Sequence, residues 1–211
     1  MRLAIFGATG GTGRRLVEQA LARGHDVNVL VRRPETLPIR DPRLRIVRGD
    51  VLNPATVRSP VTDVDAVIST LGVGYRRGPT TVYSRGIVNI IDAMHQAGVK
   101  RLVCVSTTSI ESAPGTPFGL RLLHRLVLQR ILERPYSDIR VMERTITGSD
   151  LDWTIVRAAR LTNGPRRGTF HAEAGHHAGR GLSISRADLA AYMLDCVEDE
   201  KALSCQMDIA Y

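Results

Sequence analysis

The 211-residue chain has three cysteines, Cys104, Cys196 and Cys205, too few and too widely spaced for a disulfide framework or a paired zinc-ligand motif. They read as reduced, mostly structural thiols. Long apolar runs are missing as well. Nothing is long enough to span a bilayer, and Leu3 to Phe6 is too short for the apolar region of a signal peptide. A cytoplasmic location without membrane contact is the expectation. Lysine is nearly absent: Lys100 and Lys201 are the only two, so the formal net charge of +8 rests on arginines spread along the chain. Aromatic residues make up 4% of the sequence and do not interleave with the basic ones as in base-stacking surfaces, so no nucleic-acid partner is expected. His171, His176 and His177 have no cysteine or carboxylate at ligand spacing, and no metal is assigned to them.

What is present has the composition of an ordinary globular domain, 43% hydrophobic and 24% charged, at a length that fits one core. Apolar runs and helical stripes alternate. Leu3 to Phe6 reads as a strand and Thr12 to Arg23 as a helix with Leu16, Val17, Ala20 and Leu21 on one face. Gly24 stops that helix, and Val27 to Val31 is the next strand. Strands follow at Leu44 to Val47, Asp65 to Ser69, Arg101 to Ser106 and Trp153 to Val156. Helices are expected at about Thr81 to Ala97, Leu120 to Glu133, Ser137 to Thr147 and, opened by a capping box at Ser185-Arg186-Ala187-Asp188, on to about Val197. The order implies one α/β domain over 1–211, a Rossmann-type doubly wound parallel sheet. Substrate-side loops are expected at about 110–136 and 159–183, the second with a hairpin.

Gly7, Gly10 and Gly13 lie directly between the first strand and the first helix. That placement is what a dinucleotide site requires: a turn of unusual dihedrals, no Cβ where a pyrophosphate approaches, and a helix N-terminus offering unpaired N–H groups. The candidate contacts are Gly7, Thr9, Gly10, Gly11, Thr12 and Gly13. About 20 residues on, an acid would bind the ribose 2′-hydroxyl and an arginine a 2′-phosphate. Here the second strand ends in Arg32-Arg33 with no acid, which favours NADP(H) and leaves NAD(H) admissible.

Ile5-Phe6-Gly7-Ala8-Thr9-Gly10-Gly11-Thr12-Gly13, Val29-Leu30-Val31-Arg32, Gly49-Asp50-Val51, Leu151-Asp152-Trp153-Thr154-Ile155-Val156-Arg157 and Ile184-Ser185-Arg186-Ala187-Asp188-Leu189-Ala190 together resemble the atypical short-chain dehydrogenase/reductases. Among these the chain is similar to the NAD(P)H-binding NmrA-like and flavin reductase (biliverdin-IXβ reductase)-like groups. The resemblance implies strand order 3-2-1-4-5-6-7, with Asp50 and Val51 near the adenine and Leu71-Gly72 beside the cofactor. The nicotinamide would lie near Ser106-Thr107 and Ala158 to Arg160. The alternative reading of Asp50 is a helix or turn cap before Pro54.

The family's Tyr-x-x-x-Lys pair is represented by Tyr136 and Arg140, with arginine in place of lysine and Pro135 before the tyrosine. Where the flavin reductase group has a serine after the fifth strand and a histidine after the sixth, this chain has Thr107 and Arg160. Thr107, Tyr136 and Arg160 are the catalytic candidates. Two functions stay open: an NADPH-dependent oxidoreductase reducing a flavin, quinone or similar conjugated small-molecule acceptor, and a non-catalytic NAD(P)H sensor of the NmrA type that binds a partner protein.

Overall fold

The computed structural model describes residues 1–74, 80–108, 129–175 and 181–211, with side chains of the fourth helix described from Tyr136 onward. Its first unit is β1 (Arg2–Phe6), α1 (Gly11–Ala22) and β2 (Asp26–Val31). Next come β3 (Leu44–Arg48), α2 (Pro54–Val61), β4 (Ala66–Ser69), α3 (Val82–Ala97) and β5 (Arg101–Thr107). The remaining elements are α4 (Gln129–Thr147), β6 (Asp152–Ala158), β7 (Arg160–Thr162), β8 (His171–Ala174), β9 (Ser183–Ser185), α5 (Arg186–Glu198) and β10 (Cys205–Ala210).

The main sheet runs β3-β2-β1-β4-β5-β6-β10-β8, and every pairing is parallel except that of β10 with the edge strand β8. With β10 as the seventh parallel strand, this is the order the family resemblance implies. Strand order reverses between β1 and β4. In open α/β sheets a ligand crevice forms beyond the carboxyl ends of the strands at such a point.

Both faces of the sheet are covered, so the central strands are apolar at successive positions. Leu3, Ile5, Val27, Val29 and Val31 face one way and pack with Leu16, Val17 and Ala20 of α1 and Leu189 and Met193 of α5. Ala4, Phe6, Val67, Leu102 and Ile155 face the other way, against Ile87, Ile90 and Met94 of α3 and Ile139, Met142 and Ile146 of α4. The alternation is the two-residue period of a strand filled twice.

Four details depart from the sequence reading. That reading assigns no residues to strand β10 or helix α2. The helical stretch continues unbroken through 134–136 as part of α4, so Tyr136 lies within a helix; residues 120–128 lie outside the described residues. Among the described residues the stretch 159–182 forms no hairpin with itself. Instead β7 pairs in parallel with β9, and β8 adds antiparallel to β10. Both choices satisfy backbone groups that a loop would have to leave to solvent. Finally, the capping box is half formed. Asp188 N donates to Ser185 Oγ at 3.0 Å, but Ser185 N donates to the Tyr211 hydroxyl at 3.1 Å while the Asp188 carboxylate turns elsewhere.

Candidate dinucleotide and substrate site

Gly7 leaves β1 at φ +82°, and a Cβ built there would lie 2.4 Å from the Thr70 carbonyl oxygen. A Cβ on Gly13 would lie 2.2 Å from the Gly7 carbonyl oxygen. These two glycines therefore let the turn close against itself and against the end of β4, which Thr70 fastens by donating its hydroxyl to Phe6 O at 2.9 Å. Thr9, Gly10 and Gly11 are exposed, whereas Thr12 is buried. Gly10 caps α1 without a side-chain partner, and no acid lies in the helix's first turn. The result is a concave cradle of backbone with a positive helix end, which fits a pyrophosphate.

Arg32 and Arg33 are exposed at the end of β2. Arg14 of α1 donates to Thr36 O at 2.9 Å, holding the short turn after Arg33 beside them. Asp50 follows β3. Its Oδ1 accepts from Leu52 N at 3.0 Å, while Asn53 rather than Asp50 caps α2 through Ala55 N. Val51 is buried, and its carbonyl accepts from Asn89 Nδ2 at 2.8 Å. Leu71 and Gly72 follow β4, where Val73 N donates to the Tyr83 hydroxyl at 3.3 Å. Burial holds the Tyr83 phenol above its ordinary range. Asp138 of α4 reaches across to the start of α3, accepting from Tyr83 N at 3.0 Å and Ser84 N at 3.4 Å. That buried carboxylate supplies the cap that Thr81 does not.

Ser106 and Thr107 close β5, in register with Arg157 and Ala158 of β6. Ser106 is 9% exposed, and its Oγ has no hydrogen-bond partner among the described residues. Beside it in the same cross-strand row, Arg157 makes a two-point ion pair with Glu143 of α4. Tyr136 is half-buried against the core between α3 and α4, while Arg140, one turn on, is exposed. Arg160 is exposed at the start of β7. The backbone thus carries Gly7 to Gly13, Arg32-Arg33, Asp50-Val51, Leu71-Gly72, Ser106-Thr107 and Arg160 at the carboxyl ends of neighbouring strands. Tyr136 belongs to the helix packed beside β5.

Several polar residues here do not stand out in the sequence: Arg14, Tyr83, Asp138, Glu143, Arg157, Asn163 and Arg186. Arg157 carries a readable signal, since a charge continuing a strand buried on both faces demands a partner of opposite sign. Arg186 reads from sequence only as part of a cap. Its side chain lies over Gly11, where a built Cβ would come within 2.8 Å of Cδ, and its Nη1 donates to Asn163 Oδ1 at 2.8 Å. A cavity of about 300 Å³, lined by His95, Lys100 and Asp150 among others, lies at the amino ends of β5 and β6, away from this crevice.

The NAD(P)H-binding family model matches residues 7–200. The chain belongs to that family. Its relatives include an uncharacterised chloroplastic protein of Arabidopsis thaliana, 30% identical over 95% of this chain and 73% of its own length. Photosystem II assembly factor Ycf39 of Synechocystis is 29% identical over 78% of this chain, which spans only 46% of that protein. Among solved structures, a short-chain dehydrogenase/reductase of Veillonella parvula in complex with NADP superposes with a TM-score of 0.78 at 17% identity, covering all of this chain and 94% of the other. That likeness concerns the fold. The atypical short-chain dehydrogenase/reductase character read from the motifs agrees with family, relatives and topology alike. Among the described residues no helix is long and apolar enough to cross a membrane.

Proposed function

We propose that this NAD(P)H-binding, oxidoreductase-like protein is an NADPH-dependent reductase of a flavin, quinone or similarly conjugated acceptor. When bound, the reduced nicotinamide supplies a hydride; the accompanying proton comes from solvent. The observation that carries the reading is the composition of the edge beyond β5 and β6. It holds the buried Ser106 hydroxyl, without a partner among the described residues, and the Thr107 hydroxyl, while the tyrosine on α4 is followed one turn later by arginine rather than lysine. Such an edge can orient an acceptor that accepts a hydride directly and needs no proton relay at the substrate oxygen. Ser106 orients the nicotinamide end, Thr107 and Tyr136 border the acceptor, and the exposed Arg160 receives an anionic substituent. At the other end Gly7 to Gly13 hold the pyrophosphate, Asp50 and Val51 flank the adenine, Leu71-Gly72 line the middle, and Arg32-Arg33 meet the 2′-phosphate. The Veillonella protein of the same fold, solved as an NADP complex, is in keeping with that choice.

The test is NADPH oxidation by the purified chain with FMN and a panel of quinones. Turnover that falls at least about tenfold in Thr107→Ala supports the assignment. Absence of turnover with every acceptor, at cofactor concentrations that saturate binding, overturns it.

A second reading is favoured by the replaced lysine together with the likeness to an assembly factor. In it the protein reports NAD(P)H occupancy to a partner protein and performs no chemistry. It requires association that changes between NADPH and NADP; an association indifferent to the cofactor rules it out.

A further inference from the structure

We propose that Arg186 is a direct ligand of the cofactor's pyrophosphate, swung over the glycine turn from the first residue of α5 and aimed by Asn163. The inference rests on the dinucleotide reading of the turn and adds a contact to it from the opposite end of the chain.

The first observation is steric. Gly10 and Gly11 are adjacent, but the turn's closure involves Gly7 and Gly13. Gly11 is different, because a Cβ there would meet side-chain atoms of Arg186, 2.8 Å from Cδ and 2.9 Å from Nε. Glycine at this position leaves open the space that the arginine occupies.

The second is electrostatic. Arg186 places a guanidinium beside the positive end of α1, a helix with no acid in its first turn and no side-chain cap. Its neutral partner Asn163 engages Nη1. Among the described residues its other N–H groups have no acceptor. The carboxylate two residues on, Asp188, is already occupied by the N–H groups of Arg167 and Gly168 and by the hydroxyls of Ser185 and Tyr211. A cation held against a positive helix end, with no anion beside it among the described residues, is stabilised when an external anion joins them. The pyrophosphate carries that charge, and a guanidinium meets its oxygens with charge-assisted, paired hydrogen bonds.

Titration calorimetry of the full chain with NADPH, NADH, ADP-ribose and adenosine 2′-phosphate separates this contact from the others. Arg186→Ala is expected to weaken the first three, which share the pyrophosphate, by at least about tenfold and to the same extent. Adenosine 2′-phosphate, which has none, is expected to bind within about twofold of wild type. Unchanged affinities, a loss confined to NADPH, or an equal loss for adenosine 2′-phosphate each overturn the proposal. Should Arg186→Ala not fold, Asn163→Ala frees the guanidinium without altering α5. It is expected to weaken the same three ligands about threefold, and no change overturns the assignment. Wild-type protein that binds none of the four would instead overturn the dinucleotide reading itself.

Discussion

Arg157 of β6 meets Glu143 of α4 through two hydrogen bonds, Nε to Oε1 at 3.1 Å and Nη2 to Oε2 at 2.7 Å, with both side chains under 10% exposed. The pair ties the helix that carries Tyr136 to the strand that leads to Arg160.

Replacing Glu143 takes the two-point carboxylate partner away from a guanidinium in a low-dielectric environment. Glu143→Gln is expected to cost about 3–5 kcal/mol of stability, the range for breaking a buried ion pair. Arg157→Lys, which keeps the charge but loses the planar fork, is expected to cost less. Urea unfolding of the three proteins gives the order. An effect of Glu143→Gln below about 1 kcal/mol, the scale of a surface pair, would mean that the ends of α4 and β6 do not depend on it.

Arg32 and Arg33 stand exposed where β2 ends, with the turn behind them held by Arg14 and Thr36. If they read the 2′-phosphate, replacing both with alanine lowers affinity for NADPH by roughly tenfold or more, since a hydrogen bond to a charged group contributes about 1.5–3 kcal/mol. Affinity for NADH stays unchanged. Fluorescence titration of both cofactors decides, and parallel losses would move these arginines from selectivity to general electrostatic attraction.

The parts of the molecule legible in the sequence are those governed by local rules. The turn from Gly7 to Gly13, the stripe Leu16-Val17-Ala20-Leu21 and the Ser185 cap each need only neighbours in sequence. The seventh strand is not legible, because Cys205 to Ala210 mixes Gln206 and Asp208 with apolar residues and acquires its identity by pairing with β6. The hairpin expected in 159–182 is absent among the described residues for a related reason. Strand choice there is settled by partners far away, Ser183 to Ser185 and Cys205 to Ala210, and not by the intervening turn. Arg186 reads as an ordinary helix-opening residue because its relation to Gly11 spans most of the chain.

The three cysteines differ in environment. Cys104 of β5 is fully enclosed against Met142 of α4, and burial pushes its thiol up to about 12. Cys196, on the inner face of α5, is likewise pushed up to about 12 by burial. Cys205 is half-exposed at the start of β10. Because the thiolate is the reactive form, a neutral-pH thiol reagent is expected to label one cysteine in the native protein and three after unfolding. Cys205→Ser should abolish native labelling. Fast modification of Cys104 would instead show that the sheet opens near the end of β5.

Asp188 sets the expected acid limit. Burial alone would raise its pKa, but hydrogen bonds from the Tyr211 hydroxyl at 2.6 Å, Gly168 N at 2.8 Å, Arg167 N at 3.0 Å and the Ser185 hydroxyl at 2.8 Å hold it below the ordinary 3.8. A carboxyl group whose folded pKa is depressed binds its proton more tightly when unfolded. Its contribution is therefore complete above the unfolded value and disappears as pH falls through the lower folded value. Asp188→Asn turns an acceptor into an NH2 donor among four donors, and should lose about 1–3 kcal/mol near neutral pH. Tyr211→Phe removes one donor to Asp188 and the acceptor of the buried Ser185 N, and should lose about 1–3 kcal/mol. In acid the wild type protonates the same group, so the gap between wild type and Asp188→Asn must narrow as the pH falls through and below the ordinary carboxylate range. A gap that stays constant across that range would show that the carboxylate's charge does not hold residues 167–168 and Tyr211 to the start of α5.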